Sequence, residues 1–308
     1  MAVYDRPPHG FLDDAGVQEL EALVRRADRD PEIGAVVLTG ARSASGSHFI
    51  THFDVAELTE LAETRAPRLG PRMAHLAAWA GLILTATGAG RAVAARSGPV
   101  GRSLVTLSRL HRIIRDMHAS SVVWIAAING PCLGGGLEMA LNCDIRIASD
   151  SPDVRFGQPE ILGGILPGAG GTQNLTRMLG TARAVHLLLD GGQLSAEEAL
   201  AAGLVSSVVP DDELAAVAEG LAHRMAARPP AAVAAIKRAV YVGAARTAQR
   251  GRIVEAGGLI SAGKTRLTAR LARRLLDDLE RTGRPPFLAD PQLWESGTLV
   301  RELATDEV

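Results

Sequence analysis

Apolar residues recur at helical spacing from Val17 to Asp28 and the run stops at Pro31, after which Ala35 to Thr39 reads as a short buried strand. The same alternation then repeats. A strand over Val122 to Ile128 runs into Asn129-Gly130-Pro131, and helical spacing resumes over Gly134 to Leu141 after a glycine cluster. The apolar run Ile145 to Ala148 precedes a turn-rich stretch from Ser149 to Asp153, and a further helix is predicted over Gly171 to Leu179. Such alternation favours an α/β core. Helical spacing over Ser195 to Ala202 ends at Gly203, and Leu204 to Val209 reads as another strand. Beyond Pro210 the pattern is helical over 212–227, 231–250 and 264–282, broken at Pro229-Pro230 and at glycines 257, 258 and 263. We therefore expect an α/β core at 1–210 and a helical part at 211–308, with no repeat of fixed period.

One stretch departs from this pattern. Met73 to Gly90 is eighteen residues without a formal charge when His75 is neutral, the lower bound for a membrane span. Thr85, Thr87, Gly88 and Gly90 weaken that reading, so a buried or pocket-covering helix is expected, with an interface or membrane-resting helix as the alternative. No membrane span is expected.

Composition narrows the class. The 308 residues are 47% hydrophobic and 22% charged, a globular balance, and aromatics are only 3%. Two cysteines, Cys132 and Cys143, lie in the apolar middle of the chain, which excludes a disulfide-stapled miniature. With no recognisable leader, a reduced, cytoplasmic setting is expected. A net charge of -1 argues against a general nucleic-acid binder, although 218–285 holds fourteen Arg or Lys against five acids.

The densest chemical signal runs from Asn129 to Glu138 through Gly134-Gly135-Gly136, followed by Phe156-Gly157-Gln158-Pro159-Glu160. Two carboxylates thus flank a glycine-rich strand-to-helix junction. Glycines let backbone N–H groups approach a ligand, and a first helical turn presents unpaired donors at a positive dipole end. Tight turning and close helix contact explain the same glycines equally well. Glu138 in an apolar helix and Glu160 before Ile161-Leu162 are candidates for carboxyls whose charged form is disfavoured, as a general acid or base requires. A salt bridge for Glu138 and a loop cap for Glu160 are the bland alternatives.

The stretch from Ile125 to Gly180 resembles the enoyl-CoA hydratase/isomerase, or crotonase, family. Asn129-Gly130, Gly134 to Glu138, Phe156 to Ile161 and Pro167-Gly168-Ala169-Gly170-Gly171-Thr172-Gln173 carry the resemblance, the later segments pointing to the hydratase branch. Asp5-Arg6-Pro7-Pro8, Ala35 to Gly40 and Leu194 to Val209 extend it over most of 3–240. It implies a crotonase-like spiral of ββα units with a helical C-terminal part that supports trimers or hexamers. It also implies binding of acyl-CoA or enoyl-CoA thioesters without a separate cofactor, coenzyme A being part of the substrate. By resemblance, the amides of Thr51 and Gly135 hold the thioester oxygen as an enolate forms. Glu160 protonates the α-carbon and Glu138 positions or deprotonates the attacking water. The expected activity is hydration across the 2,3 double bond. Isomerisation, a hydrolase or lyase of the same superfamily, and a silent acyl-CoA-binding paralogue are the rivals.

Three features depart from the family pattern. Thr51-His52-Phe53-Asp54 stands where the family has Ala-Gly-Ala before an aspartate, and Phe53 is expected to narrow or roof the pocket. His52 replaces a glycine, and a structural role for it is favoured over a catalytic one. The segment 60–106 is long, and bulky acyl binding and oligomer contact explain it equally; third, the start of the chain resembles a family member that lacks part of its first β-hairpin. Other motifs mislead. Gly258 to Thr265 matches a phosphate loop but sits in a helix-rich context. Gly168-Ala169-Gly170 lacks the third glycine of a dinucleotide fingerprint. No histidine–cysteine spacing suggests zinc, and His111 and His118 read as a surface stripe. Arg284-Pro285-Pro286-Phe287 loosely resembles a closing segment of the family.

Overall fold

The computed structural model describes residues 1–7, 9–43, 46–54, 71–243, 265–282 and 290–305. The start of the variable segment at 60–70, the phosphate-loop lookalike at 258–264 and Arg284 to Phe287 lie outside the described residues.

The chain begins with β1 (Ala2–Tyr4), α1 (Asp14–Arg29) and β2 (Ala35–Gly40), followed by the short strands β3 (Arg42–Ser43) and β4 (Gly46–Ser47). Among the described residues three helices come next: α2 (Pro71–Thr85), α3 (Gly88–Ala95) and α4 (Gly98–Ala119). The central unit is β5 (Val123–Ile128), β6 (Cys132–Leu133), α5 (Gly135–Asn142), β7 (Ile145–Ser149) and β8 (Phe156–Gly157), then a 3-10 turn over Pro159–Gly163. Helices α6 (Gly171–Leu179) and α7 (Thr181–Asp190), strand β9 (Gln193–Leu194), helix α8 (Ala196–Ala201) and strand β10 (Ser207–Val209) complete the α/β part. Beyond it lie α9 (Leu214–Ala226), α10 (Pro230–Arg238) with a π turn at Ala239–Gly243, α11 (Arg266–Thr282), α12 (Pro291–Glu295) and α13 (Thr298–Thr305).

Five strands form one parallel sheet in the order β1-β2-β5-β7-β10. Its centre, β5, is buried at every position, so its sequence is a continuous apolar run. Alternate residues serve opposite layers. Trp124, Ala126 and Ile128 join the core that takes in Val17, Leu20 and Val24 of α1 and Leu110, Ile113 and Met117 of α4. Val123, Ile125 and Ala127 pack with Leu214 and Ala218 of α9. A second sheet, β6-β8-β9, carries the chain between the two carboxylate segments. Asn129 clips the ends of β2 and β5 together: its Oδ1 accepts from the Gly40 amide at 3.1 Å and its Nδ2 donates to the Gly40 carbonyl at 2.8 Å.

Local chemistry sets the element ends. Asp13 caps α1 by accepting from the Gly16 amide at 2.6 Å, which starts the helix three residues before the predicted Val17. Ser195 and Glu198 form a capping box at α8. Strand β10 is shorter than the predicted Leu204 to Val209, because Gly203 has φ +79° and the Leu204 amide donates to the Ala199 carbonyl, closing α8. Within 73–90 the large apolar side chains Met73, Leu76, Trp79, Ile83 and Leu84 on α2 are exposed, whereas Gly81, Thr85 and Gly90 are buried. Further along the 60–106 segment, Ser103 and Thr106 line a cavity. The structure corrects the reading of His111 and His118, which are not a surface stripe. The His118 ring stacks on Tyr241 at 3.7 Å, and His111 Nε2 lies 2.9 Å from the Gly168 carbonyl.

Candidate active site

Glycines set the backbone at the β6–α5 junction. Gly134 has φ +48°, and a Cβ there would lie 3.2 Å from Glu160 Oε1. A Cβ on Gly136 would overlap the Ile50 carbonyl, so the helix start can lie directly against the 49–53 segment only as glycine. Gly135 is the first residue of α5, and its amide therefore has no acceptor within the helix.

The 49–54 segment runs beside residues 10–12, and its hydrogen bonds decide which amide is available. The Thr51 amide donates to the Gly10 carbonyl at 2.9 Å, and the Thr51 carbonyl accepts from the Leu133 amide at 2.8 Å. Its hydroxyl donates to the His9 carbonyl. Thr51 is therefore a strap between two strands, and the expectation that its N–H faces a thioester oxygen is corrected: that donor is already engaged. Two residues on, Leu12 bridges Phe53. The Leu12 amide donates to the His52 carbonyl and the Asp54 amide donates to the Leu12 carbonyl, which turns the Phe53 N–H to the opposite side. That side holds Gly135: a Cβ built on Gly135 would lie 3.5 Å from the Phe53 nitrogen. Phe53 and Gly135 both line a cavity of about 200 Å³.

Glu138 and Glu160 line the same cavity. Leu107, Leu110, Ile165 and Leu166 supply its apolar wall, with Ser103 and Thr106 as polar additions. Glu138 is 4% exposed on the first turn of α5, and its Oε1 accepts from the amides of Ala169 at 2.6 Å and Gly171 at 2.8 Å. Burial pushes its carboxyl above the ordinary range, and the amide donors oppose that rise. His111 secures this loop by donating from Nε2 to Gly168, next to the amide that holds Glu138. Glu160 sits on the 3-10 turn. Burial pushes its carboxyl up to about 7, with the neighbouring Glu138 charge adding to the rise. The side-chain amide of buried Gln158 lies against both Glu160 oxygens, and with its nitrogen turned toward them it donates at 2.7 and 2.9 Å.

The structure thus brings together Glu138, Glu160 and Gly135 and leaves Thr51 outside. Sequence reasoning missed the amide of Phe53, whose side chain alone drew attention. His52 has no positive φ, because no non-glycine residue among those described does. Its ring stacks on Phe11 at 4.4 Å, away from either carboxylate's hydrogen bonds. Lys237 of the basic C-terminal region is buried, donating to Asp144 Oδ2 and the Val122 carbonyl at 2.7 Å each. Among the described residues no group of three or more His, Cys, Asp or Glu could hold a metal ion.

The architecture has known counterparts. An enoyl-CoA hydratase from Geobacillus kaustophilus superposes with a TM-score of 0.70 at 23% identity, covering 90% of this chain and 89% of that one. An enoyl-CoA hydratase from Bacillus anthracis gives 0.67 at 27% identity over 92% of each chain. These place the protein in the crotonase fold class. The sequence pattern of the Enoyl-CoA hydratase/isomerase family matches residues 88–266. A short-chain-enoyl-CoA hydratase from Clostridium acetobutylicum is 34% identical over 232 residues, 75% of this chain and 73% of that protein. The chain belongs to the enoyl-CoA hydratase/isomerase family.

Proposed function

We propose that the protein hydrates the 2,3 double bond of a short enoyl-CoA thioester through an enolate held by the amides of Phe53 and Gly135. The observation that carries this reading is one cavity lined by both amide-bearing residues and both carboxylates. Addition of water at the β-carbon places negative charge on the thioester oxygen. Fixed N–H donors stabilise that charge where it develops, and each such donor is worth about 3 to 4 kcal/mol in comparable sites.

The two carboxyls divide the remaining work. Glu138 accepts two amide hydrogen bonds on Oε1, which favour its charged form, and so serves as the base that positions and deprotonates water. Glu160, with its carboxyl near 7, keeps a substantial protonated fraction at neutral pH, and that acid form delivers its proton to the α-carbon. Atoms balance: hydroxide adds to the β-carbon, a proton adds to the α-carbon, and a proton passes from water to the carboxylate pair. An isomerase needs only proton removal and return, which one carboxylate performs, so the presence of two favours hydration. A short acyl group is supported by the short-chain-enoyl-CoA hydratase from Clostridium acetobutylicum, to which the chain is 34% identical.

Mass-resolved product analysis in oxygen-labelled water tests the reaction. A 3-hydroxyacyl product carrying one labelled oxygen is expected, with Glu138→Gln and Glu160→Gln each lowering turnover about 10²-fold or more. Double-bond migration without added mass, or full hydration by both variants, refutes the reading. We further infer trimers or hexamers built in part through 211–308, supported by the exposed Ile236, Val240, Leu276 and Leu279 there. A cytoplasmic setting is supported by two buried free cysteines.

A further inference from the structure

The α2–α3 pair is built inside out. Between Arg72 and Val100 the buried positions among the described side chains are Gly81, Thr85, Gly90 and Ala94, all small. A Cβ on Gly81 would lie 3.1 Å from Leu104 on α4, and one on Gly90 would overlap the Leu84 carbonyl, so backbones approach closely on the inner side. Thr85 satisfies its hydroxyl within the helix by donating to the Gly81 carbonyl at 2.8 Å. The large apolar side chains point outward: Trp79 is 62% exposed, Val93 58%, Met73 57% and Leu76 56%. In water the hydrophobic effect drives large apolar groups inward. Small residues at the helix contact with large apolar ones outside is the arrangement helices adopt against lipid.

Charge identifies the lipid. Residues 64–115 contain nine arginines and no aspartate or glutamate. Arg109 and Arg112 are neutralised by Asp14 and Glu21 of α1, and Arg115 by Asp116. Arg72 and Arg96 are exposed on or next to α2 and α3, and half-buried Arg91 lies between them in sequence; the Arg91 and Arg96 guanidiniums donate to the Thr85 and Ala92 carbonyls, and 64–115 supplies no acid to offset their charge. A two-fold contact with a second copy through this face would set arginine against arginine. No helix among the described residues is long and apolar enough to cross a membrane. We propose that α2 and α3 form a docking surface that rests on an anionic lipid bilayer without spanning it, the apolar side chains entering the acyl boundary and the arginines meeting headgroup phosphates. Trp79 takes the interfacial position that tryptophan favours. The occupied face lies outside the lining of the acyl cavity, so docking and chemistry are separable.

Vesicle partitioning of the full chain tests this. The protein is expected to co-sediment with phosphatidylglycerol-containing vesicles more than with pure phosphatidylcholine vesicles, and to release as salt rises. Brominated acyl chains should quench fluorescence in the native chain and not in Trp79→Phe. The pair Leu76→Ser with Trp79→Ser should weaken partitioning about tenfold or more, and Arg72→Gln with Arg96→Gln about tenfold on anionic vesicles only. Turnover of a soluble enoyl-CoA should be unchanged in all three variants. Equal partitioning of native and serine-substituted chains overturns the proposal. So does lipid-independent self-association that Trp79→Ser abolishes, which would make the face a contact between copies. Failure of the hydratase reading would instead appear as absent turnover with vesicle binding intact.

Discussion

Replacing single backbone amides by esters distinguishes the two candidate oxygen-binding registers. An α-hydroxy acid incorporated at position 53 leaves the Phe53 side chain in place and deletes only its N–H. At position 51 the same change deletes the donor that holds the Gly10 carbonyl at 2.9 Å. The two losses fall on different quantities. At position 53 the donor faces Gly135, so its removal should lower kcat about 10²- to 10³-fold, or about 3 to 4 kcal/mol of transition-state stabilisation. Stability should barely change there, because no hydrogen-bond partner among the described residues is lost. At position 51 one ordinary backbone hydrogen bond disappears, which lowers unfolding free energy by about 1 kcal/mol and leaves kcat within a small factor. Single-turnover hydration followed by loss of conjugated absorbance, paired with denaturant unfolding of each ester protein, measures both. If the ester at 51 abolishes turnover while that at 53 leaves it intact, the assignment of Phe53 is refuted.

Three other perturbations bear on the site and its support. With Glu160 pushed up to about 7, its acid form is lost above neutrality, so kcat/KM should fall as pH rises through about 7 and Glu160→Gln should remove that limb. The same raised value stabilises the fold fully below the unfolded carboxyl value of about 4.3, and that contribution fades as pH rises through about 7. Glu160→Gln should accordingly flatten the decline of stability across this window in urea titrations at several pH values. Gly134→Ala puts a methyl 3.2 Å from Glu160 Oε1 at φ +48°; it should cost about 1 to 3 kcal/mol in stability and lower kcat more than it raises KM, as unfolding and Michaelis curves would record. Lys237→Met removes the cation from half-buried Asp144, which keeps its bonds from the Trp124 amide and Tyr241, and should destabilise by about 1 to 3 kcal/mol by thermal melting, with kinetics unchanged because neither residue lines the acyl cavity.

The sequence by itself determined the alternation of helix and strand, the glycine-rich junction before Glu138, and the family. Those features are local: β5 is apolar throughout because both faces are covered, and Gly134 to Gly136 are glycines because the chain turns and closes on itself there. Both carboxylates were legible for the same reason, since an acid in an apolar setting stands out by type alone. The variable helices were legible as apolar but not as outward-facing, because periodicity gives a face and only packing says what that face meets. Which amide faces the cavity was decided by tertiary structure. The Gly10 carbonyl takes the Thr51 amide and the Leu12 carbonyl takes that of Asp54, so two residues on one strand stand opposite three on the other. That extra residue displaces the register, and in an extended chain a shift of one position turns every N–H to the other side. No pattern along the sequence records such an offset, because it arises only when two segments forty residues apart are laid together.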